Sequence, residues 1–216
     1  MTIWGDASLW ADTFPEDLVP DVLQLVLEAW KDFPGTARDA HEVPTTRAFR
    51  QVMIRNKVLR RLPLRIEREV PEDDPDEAQE QGRIDLKLIP TGSAREKVYF
   101  AFECKRLNAF IGDRCRSLAG EYVTQGMMRF VTAKYSKTQK HGGMIGYVLD
   151  GDLAAAIKGI NRNVRTRQAE LGLSTPSTGL EESSLFPARR ELCETRHRLA
   201  AKIFHIHHVF LANSAD

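Results

Sequence analysis

This sequence has few cysteines, no long apolar run and almost no net charge. Its 216 residues contain three cysteines, Cys104, Cys115 and Cys193, without CxxC spacing, which argues against a disulfide framework and for reduced thiols. No apolar run approaches the ~20 residues that span a bilayer. Residues 1–18 also lack the basic start and apolar core of a signal peptide. The sequence therefore predicts a cytoplasmic protein without a membrane segment.

The net charge gives no indication of a partner, but the charge is unevenly distributed. There are 31 basic and 30 acidic residues, a net charge of +1. Residues 71–81 carry six acidic residues and no basic one, whereas residues 105–141 are mainly basic. A basic stretch can follow a phosphate backbone, although a solvated helix face explains it equally well. Walker, GxSxG and GxGxxG motifs are absent, so the best-known nucleotide-binding and serine-hydrolase signatures are missing.

Hydrophobic periodicity predicts an α/β domain. Helical spacing occurs in four segments: residues 15–33, a helix from Thr45 or Thr46 to about Leu59, 118–135, and 151–171 with Asp150 or Asp152 as its N-cap. Alternating or continuous apolar character predicts five strands: 62–70, 82–89, 97–104, 144–149 and 202–212. Residues 174–184 are expected to form a polar surface loop.

The predicted order ααβββαβαβ indicates a single domain, residues 1–216, with a mixed sheet flanked by helices. Its core is expected at about 42–150. A helical extension would precede it at 1–40, and a helix–strand extension would follow it at 151–216. Short connections make the three central strands a meander.

Three charged residues interrupt two of the predicted core strands. Asp85 lies in GRIDLKLI, and Glu103 and Lys105 lie in KVYFAFECKRL. Because side chains two residues apart on a strand share a face, Glu103 and Lys105 are expected to lie opposite the face of Phe102 and Cys104. Asp85, with Ile84 and Leu86 pointing the other way, would then lie beside Glu103.

Two carboxylates placed in this way need a partner. At about 4 Å they repel each other by about 4 kcal/mol at an effective dielectric of 20, and a divalent cation converts that repulsion into coordination. Oxygen ligands suit Mg²⁺ or Mn²⁺. Lys105 could orient an attacking water or neutralise charge in the transition state. The alternative is a solvated strand face carrying ordinary ion pairs.

These segments resemble the PD-(D/E)xK nuclease superfamily, whose restriction-endonuclease-like fold has an αβββαβ core. The resemblance covers about half of the chain. It implies Mg²⁺- or Mn²⁺-dependent hydrolysis of nucleic acid, with DNA as the expected substrate, and a catalytic and metal-binding trio of Asp85, Glu103 and Lys105. It also implies the main-chain carbonyl of Cys104 as a metal ligand. Ile84 stands where the motif has its proline, a departure that many members share.

The resemblance implies two auxiliary residues. An acidic residue on the preceding helix would be Glu42, or else Glu28, although a charge that favours a helix N-terminus explains Glu42 equally well. A glutamine on the following helix would be Gln125, which could equally be a surface residue. One branch has a tyrosine four residues after this glutamine; here Arg129 takes that place.

Nucleic-acid contacts are expected from basic residues after the charged strands: Arg106, Arg129, Lys134, Lys137 and Lys140. A targeting protein partner or a homo-oligomer is also expected, as for an effector subunit of a bacterial defence system; this last step is analogy from fold. The competing hypothesis is a catalytically silent module that uses the same fold to bind nucleic acid or a protein.

The segment HIHH at 205–208 suggests metal binding, with His205 and His207 on one strand face and His208 on the other. No third ligand is evident nearby in the sequence. Histidines that cover a sheet face or lie near the nucleic acid are therefore the preferred interpretation.

Overall fold

The computed structural model describes residues 12–71, 83–93, 97–132, 138–175, 177–199 and 202–213. They form an α/β fold around a seven-stranded mixed sheet of order β1-β2-β3-β6-β9-β8-β7. Its strands are β1 (Leu64–Pro71), β2 (Arg83–Pro90), β3 (Phe100–Leu107), β6 (His141–Val148), β7 (Glu181–Glu182), β8 (Leu192–Leu199) and β9 (Lys202–Ala212). Strands β3, β6 and β9 are parallel, and the other neighbours are antiparallel. A separate hairpin pairs β4 (Ala109–Ile111) with β5 (Arg114–Arg116).

The helices are α1 (Val19–Lys31), α2 (Glu42–Leu59), α3 (Ala119–Glu121), a π-helix (Tyr122–Met127), α4 (Met128–Val131) and α5 (Leu153–Thr166). Pro20 lies in the first turn of α1, where its missing N–H costs no helical bond. Asp152 caps α5 by accepting a hydrogen bond from the N–H of Ala155 at 2.9 Å. Among the described residues, none of these helices is both long enough and apolar enough to cross a membrane.

Both faces of β3 are buried, and each packs against a different set of helices. Phe100, Phe102 and Cys104 join a core cluster with α1 and α2. Ala101 and Leu107 join a second cluster with the π-helix and α5. The alternation predicted for this strand is therefore confirmed, and it places Glu103 and Lys105 on the side of the π-helix.

A chain of buried hydrogen bonds, the histidine relay, joins the π-helix to β8 and β9. It links Tyr122 Oη to His208 Nδ1 (2.9 Å), His208 Nε2 to Thr195 Oγ1 (2.9 Å), Thr195 Oγ1 to His197 Nε2 (2.7 Å) and His197 Nδ1 to the carbonyl of Leu171 (2.7 Å). A carbonyl can only accept, so the donors run in one direction from Tyr122 to Leu171. Every member is satisfied with both imidazoles neutral.

The predicted α/β class, the mixed sheet and the three-stranded meander are confirmed. Helix α2 begins at Glu42 rather than at Thr45 or Thr46, because Pro44 is tolerated in a first turn. The acidic segment 71–81 lies outside the described residues apart from Pro71.

The prediction for the C-terminal extension was wrong in part. It contributes three strands to the sheet, and β9 lies between β6 and β8. The loop expected at 174–184 contains β7, and Ser177 and Ser183 within it are buried. Strand β8 was missed because its sequence, LCETRHRL, carries three charged side chains, and one of them, Glu194, is buried by its tertiary contacts.

Candidate active site

Strands β2 and β3 separate where the predicted residues lie. Their pairing runs from Leu88 opposite Phe100 to Leu86 opposite Phe102 and then stops. Beyond that point the N–H of Cys104 donates a hydrogen bond of 2.7 Å to Oδ2 of Asp85. A buried N–H requires an acceptor. The Asp85 carboxylate supplies it, in place of the main-chain carbonyl that β2 would offer if the pairing continued.

The strict alternation predicted around Asp85 was wrong. Ile84 packs in the cluster of the π-helix, whereas Leu86 packs in that of α1 and α2. On the neighbouring strand, Glu69 stands opposite Asp85 with a φ of 51°, and the pairing of Arg68 with Leu86 and of Val70 with Ile84 skips these two residues. The change of face between Ile84 and Leu86 occurs at this unpaired position.

The ammonium group of Lys105 is enclosed by oxygen atoms. Its Nζ donates to Oε1 of Glu103 at 2.7 Å, to the main-chain carbonyl of Cys104 at 3.0 Å and to Oε1 of Glu42 at 3.1 Å. These bonds use all three N–H groups of the ammonium. Lys105 is only 9% exposed and Glu103 is fully buried, so both are held in a fixed geometry.

Glu42 reaches this position from the first turn of α2. Its Oε2 accepts a hydrogen bond of 3.3 Å from the main-chain N–H of Arg106, so both of its oxygens face β3. Glu28, the alternative auxiliary acid, lies in α1, where its carboxylate accepts hydrogen bonds from Gln24 and Arg60. The structure thus brings Glu42 to Lys105 and engages Glu28 elsewhere.

Four of the predicted residues, Glu42, Asp85, Glu103 and Lys105, form the carboxylate–lysine cluster. Arg129 lies at its rim and was expected only as a nucleic-acid contact. Its Nη1 is 3.4 Å from Oε2 of Glu103 and 3.3 Å from the carbonyl of Arg83, and its side chain is 36% exposed. Arg129 can therefore balance the charge of Glu103 while remaining open to solvent.

The other predicted basic residues are placed differently. Arg106 donates a hydrogen bond to a main-chain carbonyl just before α2. Lys140 is exposed and pairs with Glu16 at 2.8 Å. Lys134 and Lys137 lie outside the described residues, so their predicted role has no structural counterpart here.

Gln125 is exposed on the π-helix, and its auxiliary role stays a prediction. The next residue, Gly126, lies directly against the cluster. A Cβ added to it would be 3.5 Å from Cγ of Lys105 and would overlap Cε of Met144. The π-helix backbone thus lies close to the stem of Lys105, and a larger residue at position 126 would displace the end of the Met144 side chain.

Burial and mutual repulsion shift the titration of the carboxylates. Burial raises the pKa of Asp85. Burial and then the charge of Asp85 raise the pKa of Glu103 to about 7. Burial lowers the pKa of Lys105, but the charges of Glu103, Glu42 and Asp85 outweigh it and raise that pKa above its ordinary value. Three carboxylates face two cations, Lys105 and Arg129, so the fully ionised group carries one surplus negative charge.

The donor atoms fit a divalent cation in their chemistry. Carboxylate oxygens and a carbonyl oxygen are the ligands that Mg²⁺ and Mn²⁺ take, and the surplus negative charge favours a cation. Among the described residues, however, no group of three or more His, Cys, Asp or Glu side chains is arranged to hold a metal ion. Oxygens of Glu103, Glu42 and Cys104 converge instead on Nζ of Lys105. The cation that they hold in this structure is the lysine itself.

Sequence reasoning missed a third imidazole near His205 and His207. His141 pairs with His205 across the parallel strands β6 and β9, and its Nδ1 lies 3.1 Å from Nε2 of His207. His208 points to the other face and joins the histidine relay. Only the long-range register of two strands brings His141 here, so no local signal could have indicated it.

Comparisons of the chain with protein-family models, with characterised proteins and with solved structures gave no significant match. Membership of the PD-(D/E)xK superfamily therefore stays a prediction.

Proposed function

We propose that the chain is a divalent-cation-dependent nuclease that hydrolyses phosphodiester bonds of nucleic acid, with DNA as the expected substrate. The observation that carries the proposal is the convergence of Glu42, Asp85, Glu103 and Lys105 where β2 and β3 separate. A purely structural ion pair would need one carboxylate. Here two carboxylates bind the ammonium of Lys105 and a third, Asp85, binds the adjacent N–H of Cys104. Asp85 and Glu103 have raised pKa values, which is typical of functional sites.

The roles follow from the donor atoms. Asp85, Glu103 and the Cys104 carbonyl would hold Mg²⁺ or Mn²⁺, which when bound polarises the phosphate and lowers the pKa of a nucleophilic water. Lys105 has a raised pKa and remains protonated at neutral pH. It therefore acts as a donor that stabilises negative charge on the phosphate oxygens, rather than as a base. Glu42, which accepts a hydrogen bond from Nζ of Lys105, orients the ammonium group of that lysine.

A nuclease assay over several substrates tests this proposal. Labelled single- and double-stranded DNA and single-stranded RNA are incubated with Mg²⁺, Mn²⁺, Ca²⁺ or EDTA. We expect cleavage with Mg²⁺ or Mn²⁺ and none with EDTA. Asp85→Asn and Lys105→Ala should each lose at least about 100-fold in rate, the magnitude typical of one lost electrostatic contact in a transition state.

Matched controls are available on exposed positions. Asp113 lies in the turn between β4 and β5 and Lys158 lies on α5, and both are exposed. Asp113→Asn and Lys158→Ala should cut at the wild-type rate. If Asp85→Asn and Lys105→Ala also cut at that rate, the site is wrongly chosen. If the wild type binds nucleic acid but cuts none of it, the silent binding module is the correct interpretation.

The choice of auxiliary acid is tested separately. Glu42→Gln weakens the hold on Lys105 and should lower the cleavage rate, whereas Glu28→Gln should leave it unchanged. A loss that is confined to Glu28→Gln would reverse the assignment. A targeting partner or a second copy of the chain stays a prediction.

A further inference from the structure

A groove of about 430 Å³ opens between α2 and β1. The α2–β1 groove is lined by three apolar residues and four polar or charged ones: Val43, Pro44, Ala48, Arg47, Gln51, Arg68 and Glu69. Its volume lies within the roughly 300–1,000 Å³ of pockets that take a drug-sized ligand. None of these residues belongs to the carboxylate–lysine cluster.

Both walls of the groove continue directly into that cluster. On the α2 side, Val43 follows Glu42, whose carboxylate binds Nζ of Lys105. On the β1 side, Glu69 stands opposite Asp85 in the register of β1 and β2. A molecule in the α2–β1 groove would therefore lie beside the atoms proposed to hold the scissile phosphate.

The β1 wall has a strained geometry. Glu69 has a φ of 51°, which is unusual for a residue other than glycine, and strain of this kind tends to occur at functional sites. Its Oε1 pairs with Nη1 of Arg68 at 2.5 Å. Arg50 fixes the separation of the two walls, since its Nε and Nη2 both donate to the carbonyl of Ile66.

The lining is suited to a base and a phosphate together. Val43, Pro44 and Ala48 offer an apolar wall for the face of a base, and the amide of Gln51 can donate to and accept from its edge. The guanidinium of Arg47 is exposed and has no hydrogen bond or ion pair within the described part of the chain. Guanidinium groups bind phosphate oxygens and stack on bases. Among the described residues, the groove thus presents a cation without a partner, Arg47, next to an apolar wall.

We infer that the α2–β1 groove binds one unpaired nucleotide of the substrate next to the scissile phosphate, so that single-stranded or frayed nucleic acid is the substrate class. The inference rests on the proposed nuclease function. A base in a duplex is stacked and paired, and a duplex is too wide to enter a groove of this volume. An unpaired nucleotide can place its base on the apolar wall and its phosphate on Arg47.

Binding measurements on uncut substrate test the inference. The parent protein is Asp85→Asn, and the probes are fluorescent single-stranded DNA, single-stranded RNA of the same sequence and a blunt DNA duplex. Adding Arg47→Ala should weaken single-strand binding about tenfold at ~0.1 M salt and reduce the slope of log K against log salt by about 0.7. Gln51→Ala should weaken binding of the same probes without changing that slope.

Arg55→Ala is the matched control, because Arg55 is an exposed arginine two turns further along α2 and does not line the groove. It should bind every probe as the parent does, and Arg47→Ala should leave duplex binding unchanged. The inference is overturned if Arg47→Ala and Arg55→Ala bind single strands equally, or if Arg47→Ala weakens duplex binding as much as single-strand binding.

The two proposals fail in distinguishable ways. If the wild type neither binds nor cuts any of the probes, the nuclease function itself is wrong. If the wild type cuts and Arg47→Ala changes neither cutting nor binding, only the groove is wrongly assigned. Comparison of the DNA and RNA probes then shows which sugar the unpaired nucleotide carries.

Discussion

The carboxylate–lysine cluster and the histidine relay are both buried in the same α/β fold, but their polar groups are satisfied in different ways. In the relay each donor has one acceptor, and burial lowers the pKa of His197 to about 4 and that of His208 well below its ordinary value. The relay is neutral and complete. In the cluster, Glu103 and Lys105 form an ion pair. The attraction to Lys105 only partly offsets the effect of burial, so the pKa of Glu103 stays raised.

This difference in charge distinguishes the relay, which holds the fold together, from the cluster, which is the candidate site. A closed chain of neutral hydrogen bonds fixes the position of the π-helix and has no capacity for a ligand. A cluster with surplus negative charge and raised carboxylate pKa values retains the capacity to bind a cation. We therefore expect variants of the relay to lose stability and variants of the cluster to lose activity.

The largest expected effect is on cleavage. Glu103→Gln removes a proposed metal ligand and should lower the rate about 1,000-fold or more. Thr195→Val, in the relay, should keep the rate within about threefold when the assay is run well below its melting temperature. Initial rates on the preferred substrate measure both. Equal losses in the two variants would abolish the distinction between relay and cluster.

The next effect is on stability. Thr195→Val leaves Nε2 of His197 and Nε2 of His208 without their partner, at a cost of about 1–3 kcal/mol for each buried group. Urea unfolding measures the change. Thr166→Val, at an exposed hydroxyl that donates to the carbonyl of Arg162, is the control and should change stability little. A relay variant as stable as this control would mean that the relay contributes nothing to the fold.

A smaller effect is expected on metal binding. Lys105→Met removes the ammonium that competes for oxygens of Glu103, Glu42 and Cys104, so Mn²⁺ affinity should rise about tenfold. That is well within the ~4 kcal/mol by which like charges at 4 Å repel at an effective dielectric of 20. Calorimetric titration measures it independently of activity, with Lys158→Met as the control. Unchanged or weaker Mn²⁺ binding would show that the lysine does not occupy the metal position.

The smallest effect is on the pH dependence of stability in EDTA, where Glu103 of the cluster and the buried imidazole of His207, on the same strand as His208 of the relay, should act in opposite directions. The pKa of Glu103 is about 7 in the folded protein and ~4.3 in an unfolded chain. Only the folded state keeps this proton between those values, so stability falls as pH rises through that window. The pKa of His207 is lowered to about 3 by burial, against ~6.5 unfolded, so stability falls as pH drops below ~6.5.

Each group contributes at most about 1.4 kcal/mol per pH unit. Urea unfolding at several pH values between about pH 4.5 and 7.5 should show a steeper acid loss for Glu103→Gln than for the wild type, and a shallower one for His207→Leu. Parallel curves for all three proteins would contradict the assigned shifts.

The part of the site that could be predicted is the part that depends on local periodicity. Residues 103 and 105 share a face in any regular strand, so the contact of Glu103 with Lys105 followed from the sequence of β3. The class of fold followed from the alternation of helical and strand patterns. Strand β8 was missed because it carries several charged residues, and one of them, Glu194, is buried by contacts that a pattern of hydrophobicity does not register.

The sequence by itself determined that Glu103 and Lys105 lie side by side and that Phe100, Phe102 and Cys104 face a core. Tertiary structure alone decided that Glu42 rather than Glu28 reaches Lys105, that Asp85 binds the N–H of Cys104, and that a groove opens beside both. The physical reason is one of range. A strand fixes neighbours two residues apart, but separated strands, the interruption at Glu69 and the docking of α2 depend on contacts between distant segments.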